Sequence, residues 1–127
     1  MNVVLDASAL LALLNAEPGA DRVAAAVSAG AIISAVNFSE VVAKLADGGV
    51  PAGEARDILL GLGLEVRTFD ETQAYLAGSL RSTTRLRGLS LGDRCCLAVG
   101  LQEGSTVLTA DRGWRGLVPE AKVEIIR

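Results

Sequence analysis

Short apolar runs alternate along this chain with longer stretches whose apolar residues recur at helical spacing. Asn2 to Leu5 reads as a strand stopped by Asp6, and Ala7 to Leu14 as the helix that follows it. Glu17-Pro18-Gly19 breaks that helix, a second spans about Ala20 to Ser28, and Ala31-Ile32-Ile33-Ser34 is a second strand after Gly30. Between Val36 and Ala46 the apolar positions Phe38, Val41, Val42 and Leu45 mark one buried helical face, which Gly48-Gly49 ends. Pro51 to Leu62 predicts another helix and Leu64 to Thr68 a third strand. Asp70 caps a long helix reaching about Arg87, Gly88 to Gly92 is a loop, and helix returns from Asp93 to Gln102. Thr106 to Thr109 is a strand leading to Asp111, and Lys122 to Ile126 is the last. Strands alternating with helices predict an α/β fold, a parallel sheet wrapped on both faces.

A length of 127 residues predicts one domain spanning residues 1–127, with no linker or internal repeat. Half the residues are hydrophobic but only 3% are aromatic, so the core must be built from Ala, Val, Leu and Ile, which suits helices laid on a parallel sheet. The apolar surfaces around Leu10 to Leu14 and Val41 to Leu45 are expected in that core. No apolar run approaches the ~18 residues of a membrane span, and Met1-Asn2 leads directly into a strand, so the expectation is a cytoplasmic protein with no membrane partner.

The net charge of −3 argues against a uniformly basic nucleic-acid coat. The charge is uneven, −4 over residues 1–64 and +1 over residues 65–127. Arg81, Arg85, Arg87, Arg94, Arg112 and Arg115 crowd the second half, where they form either a polyanion-attracting patch or ordinary solvated helix faces.

Histidine is absent, so hydrolytic chemistry here must run on carboxylates. Cys95 and Cys96 are adjacent in a predicted helix, a geometry that strains a disulfide, and are expected as reduced core thiols. Asp6, Glu40, Asp93 and Asp111 each stand at a strand end or on a helix beside one. Carboxylates without imidazole suit hard divalent cations with oxygen ligands, Mg²⁺ or Mn²⁺. Each acid also has a local explanation. Asp6 can cap the helix after it, Glu40 can pair with Lys44, Asp93 completes a capping box with Ser90, and Asp111 can start a turn before Trp114.

Taken jointly, Leu5-Asp6-Ala7-Ser8, Ser39-Glu40-Val41, Leu89-Ser90-Leu91-Gly92-Asp93-Arg94 and Leu108-Thr109-Ala110-Asp111 are more specific. The chain resembles a PIN-domain ribonuclease, most closely the VapC toxins of bacterial type II toxin-antitoxin pairs, over nearly its whole length. The resemblance implies a Rossmann-like α/β/α sandwich with a central parallel sheet of about five strands. It implies Mg²⁺- or Mn²⁺-dependent endoribonuclease activity leaving 5′-phosphate and 3′-hydroxyl ends. Asp6, Asp93 and Asp111 match the principal acids, Glu40 the helical acid and Thr109 the supporting hydroxyl; Ser8 matches more loosely and Asn37 more loosely still. Arg85, Arg87 and Arg112 are the expected RNA-backbone contacts. A VapB-type antitoxin covering the active-site groove and a homodimer are also implied.

Two alternatives remain in view. A phosphatase of the haloacid dehalogenase type would want an acid at position 8, where this chain has Ser8. A non-catalytic PIN-like module binding RNA or protein would want an acid missing.

Overall fold

The computed structural model describes residues 2–127. Five strands, β1 (Val3–Leu5), β2 (Ala31–Ser34), β3 (Glu65–Arg67), β4 (Val107–Thr109) and β5 (Val123–Ile125), form one sheet in the order β3-β2-β1-β4-β5. Every pairing is parallel. The register stacks Val4, Ile32 and Val107 into one row and Leu5, Ile33 and Leu108 into the next. Successive residues of a strand point to opposite faces, so each row supplies one face and both must be covered.

Helices α1 (Ala7–Leu14), α2 (Ala20–Ala29), α3 (Ala35–Asp47) and α4 (Ala52–Gly61) bury Leu10, Val23, Val41 and Leu59 against the Leu5 row. On the other face α5 (Glu71–Ser79) and α7 (Leu91–Glu103) join Trp114 and Val118 over the Val4 row. The apolar stripes of α1 and α3 are therefore core. Cys95 and Cys96 are buried free thiols of α7, and burial raises both above the ordinary thiol range, Cys96 well above it.

The long helix expected from Asp70 to Arg87 is divided. Helix α5 ends at Ser79, a single turn α6 spans Arg81–Thr84, and a 3-10 turn spans Arg85–Arg87. The backbone leaves helical geometry at Thr84, with φ −110° and ψ 0°, before the 3-10 turn. Ser79 donates to the Leu76 carbonyl at 2.7 Å, and Thr83 and Thr84 both donate to the Leu80 carbonyl, sharing these acceptors with the backbone N–H groups of Leu80 and Thr84 in a segment of poor helix propensity. The expected Gly88–Gly92 loop is also shorter, because Ser90 caps α7 and helix begins at Leu91. Asp93 thus sits in the third position of α7 rather than at its start.

Strand β1 pairs with β2 on one side and β4 on the other, so the chain reverses its winding between β1 and β4. A crevice opens beyond the carboxyl ends of the strands at such a reversal.

Candidate active site

The next row above Val4, Ile32 and Val107 is polar, because Ser34, Asp6 and Thr109 follow them by two residues on the same face. Asp6 is only 4% exposed and has three donors. Thr109 Oγ1 donates to its Oδ2 at 2.6 Å, while Ser8 Oγ and the Ala9 N–H donate to Oδ1 at 2.7 and 2.8 Å. Burial nevertheless dominates, lifting its pKa from 3.8 to about 6 against the lowering effect of those hydrogen bonds, and the Asp93 charge raises it further.

Asp6, Glu40, Asp93 and Asp111 line one cavity of ≈ 240 Å³ with Ala7, Ser8, Leu11 and Lys44. The four acids come from β1, α3, α7 and the segment after β4, and the β1–β4 adjacency brings Asp6 and Asp111 together. Three of the four also perform the local role that their sequence context offers. Asp6 caps α1, Asp93 forms a reciprocal capping box with Ser90, and Asp111 accepts from the Gly113 N–H at 2.8 Å. Glu40 does not pair with Lys44; it accepts from Asn37 Nδ2 at 2.8 Å. The capping acids therefore also line the cavity.

Among the described residues, the ion pairs are Arg22–Glu124, Arg67–Glu65, Arg67–Glu103 and Arg127–Glu17, and none includes a cavity acid. Four carboxylates thus line one cavity with a single lysine, Lys44, and none of them is ion-paired among the described residues. An all-oxygen donor set with excess negative charge fits a hard divalent cation. Each acid is held apart by its own local donor, and among the described residues no three ionisable donors are gathered closely enough to hold a metal as they stand. Asp93 and Asp111 are more accessible than the buried Asp6.

The arginines separate by position. Arg87 lies against Gly113 beside Asp111, where a Cβ on Gly113 would stand 1.9 Å from Arg87 Nη2 and 3.0 Å from Asp111 Oδ1. Arg112 Nε donates to the Arg127 carbonyl at 2.9 Å, and Arg85 is exposed on the 3-10 turn. Arg87 is thus brought from a distant segment against the loop that carries Asp111, and Arg112 stands in that loop itself. Lys44 as a cavity residue and Gly92 and Gly113 as close-approach positions do not stand out in the sequence. Their signals were faint: a lysine one turn after Glu40, and glycines in the first turn of a helix and of a 3-10 turn.

A family model described as PIN domain matches residues 3–117. The chain belongs to the PIN-domain family. PIN domains are generally nucleases. This PIN domain has the fold of a chain in the VapBC2 complex of Rickettsia felis bound to a promoter DNA fragment, with TM-score 0.77 and 17% identity over 98% of each chain. DNA-bound VapBC from Salmonella typhimurium matches with TM-score 0.76 and 17% identity, covering 100% of this chain and 99% of that one. VapBC-1 from nontypeable Haemophilus influenzae matches with TM-score 0.74 and 18% identity over 99% and 98%. No curated protein matches this PIN domain in sequence. The dehalogenase-type phosphatase is set aside by the family match and by Ser8, a neutral hydroxyl that donates to Asp6 where that chemistry wants an acid.

Proposed function

We propose that this single-domain protein is a VapC-like toxin, an endoribonuclease dependent on Mg²⁺ or Mn²⁺. The observation that carries the reading is the convergence of Asp6, Glu40, Asp93 and Asp111 on one cavity, none of them in an ion pair among the described residues. When bound, a divalent cation would neutralise charge on a phosphodiester and acidify a water molecule. Asp6, Asp93 and Asp111 would hold it, with Glu40 completing the set or accepting the proton of the attacking water. Thr109 and Ser8 keep the Asp6 carboxylate in one orientation by donating to its two oxygens. Cys96 plays no nucleophilic part, since burial and the charges of Asp6, Asp93 and Glu40 all keep its thiol protonated.

The partner and setting follow from likeness. The similar solved structures are VapBC complexes, which supports a VapB-type antitoxin as the partner of this chain. A homodimer and a cytoplasmic location belong to the same proposal. No helix among the described residues is long and apolar enough to cross a membrane.

Purified protein incubated with total RNA should cut it in Mg²⁺ or Mn²⁺ and leave it intact in EDTA, with cutting restored by excess metal. Undiminished cleavage in EDTA would falsify the metal mechanism. The RNA-contact assignment has its own check. Neutralising Arg87 should weaken single-strand RNA binding and reduce the slope of log affinity against log salt by roughly 0.7. Arg85 and Arg112 belong to the same proposed surface, and unchanged slopes for all three variants would show them to be ordinary surface charges.

A further inference from the structure

The buried stripe of α3 runs through Asn37, Val41 and Leu45. Asn37 is 1% exposed, and its amide sits where the periodicity of the helix calls for an apolar side chain. Its Nδ2 donates twice, to Glu40 Oε1 at 2.8 Å and to the Gly92 carbonyl at 2.9 Å. Its Oδ1 is buried with no partner among the described residues. The opposite amide orientation would set that oxygen against a carboxylate and a carbonyl, both acceptors, so the arrangement has one sensible assignment. A buried acceptor without a donor is costly, and leucine, of similar size, would avoid that cost. Stability does not explain an asparagine here.

Gly92 carries the second observation. It occupies the first turn of α7, where glycine is a poor helix former, and its φ is not in the left-handed region. A Cβ at this position would lie 2.4 Å from both carboxylate oxygens of Glu40. Glycine is used because the Glu40 carboxylate rests directly on the backbone of α7. Thus Asn37 from the same helix and Gly92 from the facing one act on a single group. Glu40 Oε1 is engaged by the amide, whereas Oε2 has no hydrogen-bond donor among the described residues, and Glu40 lines the cavity.

We propose that Asn37 and Gly92 form a socket that holds the Glu40 carboxylate at the cavity wall, and that Asn37 is a positioning residue for the cation site, acting only through Glu40. The inference rests on the nuclease reading above and adds to it residues that touch neither substrate nor cation. A glutamate on a helix surface would otherwise spread over many rotamers and lose that freedom whenever it engaged a ligand. The socket removes the freedom in advance. Partners that orient a metal-binding side chain typically change metal affinity or activity by about 10-fold to 100-fold when lost.

Calorimetric titration of EDTA-stripped, dialysed protein with Mn²⁺ tests this, using wild type, Asn37→Leu, Gly92→Ala, Glu40→Gln, and each of the first two combined with Glu40→Gln. Asn37→Leu and Gly92→Ala should each weaken Mn²⁺ binding by about 10-fold or more, yet cause no further weakening once Glu40 is Gln. The urea midpoint of Asn37→Leu in EDTA should equal or exceed that of wild type. Full wild-type affinity in both single variants overturns the socket, as do losses that add to that of Glu40→Gln, the pattern of a merely structural link between α3 and α7. Should Asn37→Leu not fold, Gly92→Ala and its combination decide alone, because they leave the Asn37 amide in place. A wild type that binds no Mn²⁺ brings down the nuclease reading with the inference; wild-type binding with additive losses brings down the inference alone.

Discussion

Asp6→Asn is expected to reduce metal-dependent RNA cleavage by at least about 100-fold while making the metal-free protein more stable at neutral pH. Losing the buried member of the cation-binding set removes several kcal/mol of charge stabilisation at the phosphate, and each 1.36 kcal/mol is about tenfold in rate. The stability change has the opposite sign because burial raises the Asp6 pKa from 3.8 to about 6. Between those values the unfolded chain has released the proton that the folded protein retains, so stability falls as pH rises through this window. Above about pH 6 both states are ionised and the penalty is constant, about 3 kcal/mol for a displacement of this size. Asparagine carries no charge to bury but disturbs one of the hydroxyl hydrogen bonds from Thr109 and Ser8, an offset of about 1 kcal/mol. The variant should therefore exceed wild type by roughly 1 to 2 kcal/mol above pH 6 and lose that advantage near pH 4. Urea unfolding in EDTA across this range measures it. A difference that does not change with pH would show that the Asp6 proton is not responsible.

Asp93→Asn should also abolish cleavage, but with little change in metal-free stability. Asp93 has two opposing electrostatic relations. Its carboxylate accepts the Ser90 N–H at 3.1 Å within the capping box and complements the positive end of α7, a contribution of about 0.3 to 1 kcal/mol that an amide largely forfeits. The same charge repels Asp6 across the cavity, and its removal relaxes that strain. The two changes are opposite in sign, so urea midpoints in EDTA should lie close together. Added Mg²⁺ separates the proteins, since an ion bound only by the native state stabilises wild type by mass action and the variant clearly less. A destabilised variant that still cuts RNA, with the wild-type response to Mg²⁺, would remove Asp93 from the site and leave it a cap alone.

These two residues illustrate what local sequence can reveal. The capping interpretations of Asp6, Asp93 and Asp111 and their interpretation as a common cluster looked like rivals in the sequence, yet in the structure all three cap and all three line one cavity. A carboxylate at the start of a helix at the carboxyl edge of a parallel sheet faces backbone N–H groups on one side and the crevice on the other. For Glu40 the local interpretation failed, because Asn37 rather than Lys44 takes its carboxylate. Spacing alone could not rank a partner three residues earlier against one four residues later.

The division of the Asp70–Arg87 helix had a visible signal in Gly78-Ser79 and Ser82-Thr83-Thr84, a run of small and hydroxylated residues with poor helix propensity. Where in that run the helix divides was visible only in the backbone, which leaves helical geometry at Thr84. Gly92 and Gly113 had no such signal. Each glycine accommodates a side chain from a distant segment, Glu40 and Arg87, and a contact across the fold leaves no mark in the neighbouring sequence.

By itself the sequence determined the α/β class, all five strands to within a residue or so at each end, the apolar faces of the helices, and the places of Asp6, Thr109 and Asp111 at strand ends, since period, breakers and strand-terminal polar residues are local properties. Strand order was decided only by the tertiary structure. Whether Asp6 meets Asp111 depends on β1 lying beside β4, a pairing of segments about a hundred residues apart that is set by packing both sheet faces at once. The raised Asp6 pKa, the seating of Glu40 on Gly92 and the position of Arg87 over Gly113 follow from the same packing. Burial and close approach are properties of neighbours in space, and the order of residues along the chain carries them only through the fold.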